Sequence, residues 1–293
     1  MRRALSYILW PALLSAAITV NALGMTTGMP LLWLNVSYFG LALVLFVLER
    51  LMPHEPAWLA DDGQLIPDIG HTLLSKSAVQ VLIIVPALTG LSGHVDALQG
   101  SSWWPHAWPL PVQILLGLLI AEFGFYWAHR WGHEWPVMWR YHAIHHSVTR
   151  LWFVNTGRFH FVNTLLSTTF GLVLVLLAGA PSEVIIWGSA ITAYVGLLTH
   201  ANVEMRTGVL DYVFNTPGLH RWHHSKVLDE GNRNYGENLM IFDLMFRTFY
   251  KSPRRPPVDI GIQQPMPATL MAQIAWPFRR HPPFDVPEER LAA

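Results

Sequence analysis

Four long, mostly apolar segments constrain this chain more than any other feature of its sequence. They cover residues 5–23, 31–48, 71–91 and 110–128, and each approaches the length of about 20 residues that a helix needs to cross a bilayer. Hydrophobic residues make up 52% of the chain and charged residues only 13%, against about 25% charged in soluble domains. The sequence therefore predicts an all-α integral membrane protein with a bundle of four spans.

Two shorter apolar segments, 164–178 and 184–198, flank a turn at 179–182. We expect them to form a short membrane hairpin beside the four spans. The first span follows Arg2 and Arg3 and could be mistaken for a signal peptide. Its apolar run is too long for one and a second span follows at once, so we expect a retained helix.

The basic residues predict the orientation of the spans. All 19 Lys and Arg lie outside segments 24–30, 92–109 and 179–183, and cytoplasmic loops are the ones that hold such residues. Both termini and the histidine-rich segments are therefore predicted to be cytoplasmic, in a bacterial inner membrane or an ER-type membrane. The formal net charge is zero, which does not indicate a nucleic-acid partner.

Three regions follow from these patterns. Residues 1–109 are predicted to hold the N-terminal membrane spans, and residues 110–252 a catalytic region whose histidines lie on a cytosolic helical cap. Residues 253–293 are rich in proline and are predicted to form a cytosolic tail.

Histidines are the candidate functional residues, since ten of the fifteen lie between His129 and His224. They form one pair at i, i+4 and two triplets at i, i+3, i+4, spacings that place the imidazoles of each motif on one face of a helix. The pair is expected on a helix that extends the fourth span, and Pro136 is expected to start the next helix. The motifs are His129 and His133; His142, His145 and His146; His220, His223 and His224.

Eight imidazoles exceed what one ion can use, because a single zinc takes four ligands. Neutral imidazole binds zinc, copper, iron or nickel, so the motifs predict two metal ions that share eight or nine rings. His200, at the end of the predicted hairpin, is the expected ninth ligand. A single pair on an interfacial helix is usually a solvated face, and only the recurrence of the motifs favours metal binding.

Five further residues are candidate outer-shell groups or ligands. Glu122 is the one acidic residue within a predicted span, seven residues before His129, and could orient a ligand imidazole. The alternative for Glu122 is a hydrogen bond between helices. The five candidates are Glu122, His160, Asn202, Glu204 and Asp243.

Several other chemistries are excluded or disfavoured by the sequence. The chain has no cysteine, which excludes disulfides and thiolate sites, and it lacks the His-Glu-x-x-His and Gly-x-Ser-x-Gly motifs of hydrolases. Candidate ligands at the cytoplasmic mouth of an apolar bundle favour oxidation of a lipid C–H bond. The alternatives are a membrane metal transporter for zinc or iron, whose ligands would lie near the bilayer midplane, and a non-catalytic scaffold.

The stretch 122–250 resembles the fatty acid hydroxylase/sterol desaturase superfamily of membrane di-iron oxygenases. The resemblance is carried by HRWGH (129–133), HAIHH (142–146), HRWHH (220–224), RFH (158–160), HANVE (200–204) and NYGENLMIFDLMFRTFY (234–250). Arg247 stands where members usually have glycine, and Glu122 where many have aspartate.

The resemblance implies a hydroxylase or desaturase that acts on a membrane lipid, such as a fatty acyl or sterol-like substrate. It implies two iron ions, which zinc could replace during purification, with O2 as cosubstrate. Electrons would come from a reductase or from a cytochrome- or ferredoxin-type donor. No residue beyond the metal ligands is expected to act as a catalyst.

Overall fold

The computed structural model describes residues 2–86 and 103–279. The end of the third predicted span, most of the loop after it and the end of the predicted tail lie outside the described residues. Within these ranges the chain contains helices and three isolated β-bridges but no strand. The α-helices are α1 (Arg2–Met25), α2 (Pro30–Leu51), α3 (Leu65–Gly70), α4 (Ala78–Pro86), α5 (Leu110–Glu134), α6 (Pro136–His146), α7 (Phe161–Leu177), α8 (Ser182–His200), α9 (Pro217–His223), α10 (Leu228–Gly231), α11 (Ile241–Met245) and α12 (Leu270–Ala275).

Four of the described helices, α1, α2, α5 and α8, are long and apolar enough to cross a membrane. The predicted all-α membrane fold is confirmed, and three of these helices coincide with predicted spans. The fourth, α8, is the second helix of the predicted hairpin, while α7 has 17 residues. The third predicted span is described only as far as Pro86, as a π-helical stretch His71–Ser77 followed by α4.

Helix α8 lies at the centre of the bundle, where it contacts α1, α2 and α5. Half of its most apolar stretch is buried, against 17% for α2. Trp10, Leu14, Leu45 and Leu198 belong to the largest core cluster, which joins α1, α2 and α8. The outer face of α2 instead exposes large apolar side chains such as Phe39, as expected of a surface that contacts lipid.

Helices α5 and α7 pack closely because each has a glycine at the contact. A Cβ at Gly124 would lie 2.4 Å from the backbone oxygen of Phe170, and one at Gly171 would lie 2.3 Å from the ring of Phe125. Any side chain at these positions would force the helices apart. The close contact fixes the histidine-bearing end of α5 relative to α7.

Buried polar groups connect the bundle to the loops that carry the candidate site. Glu49 of α2 accepts hydrogen bonds from the backbone N–H groups of Phe153 and Asn202. Arg158 is buried and pairs with Asp68 at 2.7 Å. The described part of the predicted tail also packs back onto the chain, because Gln273 of α12 contacts His71 at 3.1 Å.

Candidate metal centre

Each histidine motif lies on the helix end that the sequence predicted. The first occupies the last turns of α5, which runs unbroken from Leu110 to Glu134, and Pro136 starts α6 with the second motif. The third lies on the short helix α9, and His200 is the last residue of α8. The helix of the third motif begins with Pro217 after Thr216, but the Thr216 hydroxyl donates to Asp211 rather than capping the helix.

The structure brings all nine predicted ligands together in two groups whose candidate ligand atoms lie within 4.8 Å of one another. Both groups are buried apart from His133, which is half-buried. The five-histidine cluster contains His129, His133, His142, His146 and His223, and the four-histidine cluster contains His145, His200, His220 and His224.

Each triplet contributes to both clusters. His145 and His146 are adjacent in sequence but belong to different clusters, and the same is true of His223 and His224. The clusters are neighbours, since the rings of His146 and His224 stack with centroids 4.3 Å apart. The two adjacent histidines of each triplet, at positions i+3 and i+4, therefore belong to two different sites and not to one.

In the five-histidine cluster, hydrogen bonds fix which ring nitrogen faces inward. The Nδ1 atoms of four rings lie next to oxygens that can only accept, so each Nδ1 carries the proton and each Nε2 keeps its lone pair. The pairs are His129 with Tyr235 O (2.7 Å), His133 with Asn232 Oδ1 (3.1 Å), His142 with Asn163 Oδ1 (3.0 Å) and His223 with Arg233 O (2.7 Å).

The Nε2 atoms of all five rings are buried, and they form no hydrogen bond with the described residues. An unsatisfied buried polar atom costs about 1–3 kcal/mol, so five that converge would be strongly unfavourable without a bound cation. Neutral imidazole nitrogens with a fixed outer tautomer are the donors that transition metals prefer in proteins. The cluster therefore fits a metal ion.

The four-histidine cluster has a comparable arrangement. His200 donates from Nδ1 to Oδ1 of Asn155 at 2.8 Å, which directs its Nε2 toward the other rings. The Nε2 atom of His220 lies 2.9 Å from Nε2 of His200 and 3.1 Å from Nε2 of His224. Three ring nitrogens around one point fit a second metal ion.

The protonation state of these rings agrees with metal binding. Burial, and then the proximity of other imidazoles, lowers the pKa of His145, His146, His223 and His224 well below the usual value. Burial lowers the pKa of His220 to about 3. The rings are therefore neutral at physiological pH, which is the form that binds a metal.

Two buried carboxylates fix the loop that supports the five-histidine cluster. Asp243 accepts the backbone N–H groups of Tyr235 and Gly236 at 2.8 and 2.7 Å. Glu122 accepts those of Glu237 and Asn238 at 2.6 and 3.0 Å. Among the described residues Glu122 forms no hydrogen bond with a clustered histidine, and it instead holds the loop whose Tyr235 backbone oxygen lies 2.7 Å from Nδ1 of His129.

The supporting loop belongs to segment 234–247, and both end residues of this segment adopt the left-handed backbone conformation. Asn234 has φ +56°, and its side chain bonds to the backbone of Leu219 and Tyr250. Arg247 has φ +60°, the region in which glycine is favoured. The left-handed conformation is consistent with the glycine that the family resemblance implies at position 247.

Three of the predicted outer-shell candidates form hydrogen bonds or ion pairs with described residues other than the clustered histidines. His160 receives the backbone N–H of Val162 on Nδ1 and contacts the backbone oxygen of Ile274 at 3.2 Å. Asn202 bonds to the backbone of Glu55. Glu204 pairs with Arg206 near the surface at 3.1 Å.

Sequence analysis missed most of the groups that orient the imidazoles. Asn155, Asn163 and Asn232 lie in loops or at a helix start, and nothing in their spacing marks them. Gly132, inside the first motif, could have been noticed. A Cβ there would lie 3.1 Å from the ring of His142, so glycine makes room for the second motif.

A cavity of about 370 Å³ opens beside the clusters, between α2, the π-helical stretch, α5, α7 and α8. Phe159 lines it and stacks on His145, with ring centroids 4.1 Å apart and planes 10° apart. The cavity is mostly apolar, with walls that include Leu118 and Leu172. It borders the four-histidine cluster through Phe159 and offers space for an apolar ligand inside the bundle.

Comparison with known proteins gives the same family as the motifs. The fatty acid hydroxylase model matches residues 114–248. The chain is 48% identical to the ornithine lipid hydroxylase OlsE of Rhizobium tropici, over 94% of this chain and 85% of that protein. The chain belongs to the fatty acid hydroxylase family.

More distant members of this family also match. Alkylglycerol monooxygenase of Xenopus tropicalis is 30% identical over 54% of this chain and 35% of its own length. The human alkylglycerol monooxygenase is 30% identical over 72% of this chain and 46% of its own length. No solved structure matches at a significant level. These relatives confirm the prediction of a lipid oxidoreductase and identify it as a lipid hydroxylase. They do not support the alternative of a metal transporter.

Proposed function

We propose that this protein is a di-iron monooxygenase that hydroxylates an amino-acid-containing membrane lipid of the ornithine lipid type. The observation that carries the proposal is the convergence of five unpaired Nε2 atoms beside a second group of four imidazoles. The identity to an ornithine lipid hydroxylase supports the substrate class.

The nine histidines would hold two iron ions, five rings at one and four at the other. When bound, the iron pair supplies the redox chemistry that activates O2 and inserts one of its atoms into a C–H bond. The other oxygen atom leaves as water, which requires two electrons and two protons from an external reductase, cytochrome or ferredoxin. The number of imidazoles exceeds what one metal can use, and this supports a pair.

The protein's own residues prepare this chemistry. The Asn155, Asn163 and Asn232 side chains hold the rings in the tautomer that presents a lone pair inward. Burial keeps water from the histidines, and the mostly apolar cavity accommodates the lipid, with Phe159, which stacks on His145, in its wall. The outer-shell roles of Glu122 and Asp243 belong to this proposal.

We also propose that the metal centre and both termini face the cytoplasm. The distribution of Lys and Arg supports this orientation, because none of the 19 lies in segments 24–30, 92–109 and 179–183, which are predicted to face the other side. Electron donors would then reach the centre from the cytosol. The proposed domain organisation is N-terminal spans (1–109), a catalytic region (110–252) and a tail (253–293).

Expression in a host that makes ornithine lipid tests the proposed function. Lipid mass spectrometry should show a new species heavier by one oxygen atom, with label incorporated from 18O2. The same protein with His146→Ala and His224→Ala should give none. A lipid profile unchanged by the wild-type protein, with iron bound and a reductase present, would contradict the proposal.

A further inference from the structure

Two opposite charges lie in the wall of the otherwise mostly apolar cavity. Lys76 enters it from the π-helical stretch and Glu237 from the loop that Glu122 and Asp243 hold. Neither forms an ion pair within the part of the chain that the structure describes, and the Glu237 carboxylate accepts no hydrogen bond there. Charged groups in such surroundings are unfavourable unless they find a partner.

Contacts around Lys76 leave it available to a ligand. Its ammonium lies 3.5 Å from the backbone oxygen of Thr156, at the limit of a hydrogen bond, and 5.2 Å from the centroid of the Phe159 ring. These are weak interactions for a cation inside a protein. The opposite charge of Glu237 stabilises Lys76 only from a distance.

Glu237 is fixed by its backbone and free at its carboxylate. Its N–H donates to Glu122 at 2.6 Å, which sets the position of the residue in the wall. Burial raises the pKa of its carboxyl to about 6, and the charge of Lys76 opposes that shift. Lys76 and Glu237 therefore place an amine and a carboxyl group, of opposite formal charge, in the wall of one cavity.

Both charges lie at the end of the cavity nearest the histidines. Thr156 follows Asn155, which receives a hydrogen bond from His200, and Phe159 stacks on His145. Glu237 is two residues from Tyr235, whose backbone oxygen accepts a hydrogen bond from Nδ1 of His129. Apolar residues such as Leu34, Leu172 and Val175 also line the cavity.

We propose that Lys76 and Glu237 bind the two charges of a zwitterionic lipid head group, Lys76 the carboxylate and Glu237 the ammonium. An amino acid acylated on one of two amino groups keeps one charge of each sign and matches the pair. A neutral lipid would leave both protein charges desolvated and unpaired, so the two residues select against it. The inference rests on the proposed function for the reaction at this site.

Competition binding to the full-length protein in nanodiscs, loaded with ferrous iron and kept free of O2 and reductant, tests the inference without turnover. The probes are ornithine lipid, its carboxyl methyl ester and its N-acetylated form. Wild-type protein should prefer ornithine lipid over each derivative by about tenfold or more, as expected for a lost charge-assisted hydrogen bond. Lys76→Met should abolish only the preference over the ester, and Glu237→Gln only that over the acetylated lipid.

Charge-conserving variants separate recognition from folding. Lys76→Arg and Glu237→Asp should retain most of the preference, and the exposed-charge variants Lys226→Met and Glu204→Gln should retain all of it. If Lys76→Met does not fold, Lys76→Gln replaces it. Wild-type selectivity in Lys76→Met and Glu237→Gln, or equal binding of all three lipids by wild type, would overturn the inference. Selective binding without hydroxylation by the iron-loaded protein would instead contradict the proposed function alone.

Discussion

The imidazole of His129 donates from Nδ1 to the backbone oxygen of Tyr235 at 2.7 Å. That oxygen belongs to the loop 235–238. The four consecutive backbone N–H groups of this loop all donate hydrogen bonds to the carboxylates of Asp243 and Glu122. The position of the ring nitrogen therefore depends on carboxylates that contact no imidazole. This coupling, from the two carboxylates through the loop to the imidazole of His129, makes the loop part of the candidate metal centre.

Glu122→Gln should weaken metal binding by about 10–100-fold, the usual effect of removing an outer-shell partner. The NH2 group of the glutamine would face a backbone N–H that now donates to the Glu122 carboxylate. Two donors would then oppose each other, and the loop would shift. Chelator competition on purified protein measures the change. Glu204→Gln is the matched control, since its exposed pair with Arg206 should leave affinity unchanged. Equal affinities for the two variants would contradict the coupling.

Single histidine variants should remove one metal at a time. His133→Ala should weaken binding at the five-histidine cluster and His220→Ala at the four-histidine cluster, so each is expected to release about one ion per chain at a chelator concentration that leaves the wild-type metal bound. His160→Ala should retain both ions, although loss of its hydrogen bond at the start of α7 should cost about 1 kcal/mol of stability. Elemental analysis measures the content, and metal loss in His160→Ala would refute the assignment.

Arg247→Gly should stabilise the protein by about 1 kcal/mol. The left-handed conformation at φ +60° is unfavourable for a residue with a Cβ and neutral for glycine. Thermal denaturation in detergent should show a higher midpoint. Arg247→Ala keeps the Cβ and serves as control, and a gain of the same size in that variant would point to the charge and not the backbone.

Stability of the metal-free protein should fall as the pH is lowered from 7 to 5. Burial lowers the pKa of His145, His146, His223 and His224 in the folded state, whereas the unfolded chain protonates at about 6.5. The unfolded state then binds more protons below pH 6.5, and each ring lowers stability by about 1.4 kcal/mol per pH unit.

Midpoints of unfolding in a mild detergent, measured at several pH values after removal of metal by chelation, check this slope. The stability should be fully present above pH 7 and lost progressively below 6.5. A midpoint that stays constant from pH 7 to 5 would mean that these rings are not buried together.

The helix periodicity explains why eight of the nine imidazoles could be found from sequence. Positions i, i+3 and i+4 face one direction whatever the tertiary structure, so the motifs on α5, α6 and α9 were predictable, as was the break at Pro136. The division of His145 from His146 between two clusters was not. It depends on how three helix ends meet, which no local spacing encodes.

Groups supplied by loops could not be predicted for the same physical reason. Tyr235 and Arg233 act through backbone oxygens, which every residue has, and Asn155 reaches His200 across 45 residues. Glu122 was recognised because a carboxylate within an apolar span is unusual. Its role through the backbone of Asn238, rather than on an imidazole, required the fold.

The most direct test of the account is the metal content of wild-type protein loaded anaerobically with ferrous iron and freed of excess metal. We expect two iron ions per chain, since five converging nitrogens fit one ion and four neighbouring imidazoles fit the other. Double substitution of His146 and His224 by alanine should abolish binding while the protein remains folded. One iron or less in the wild-type protein after full loading would contradict the account.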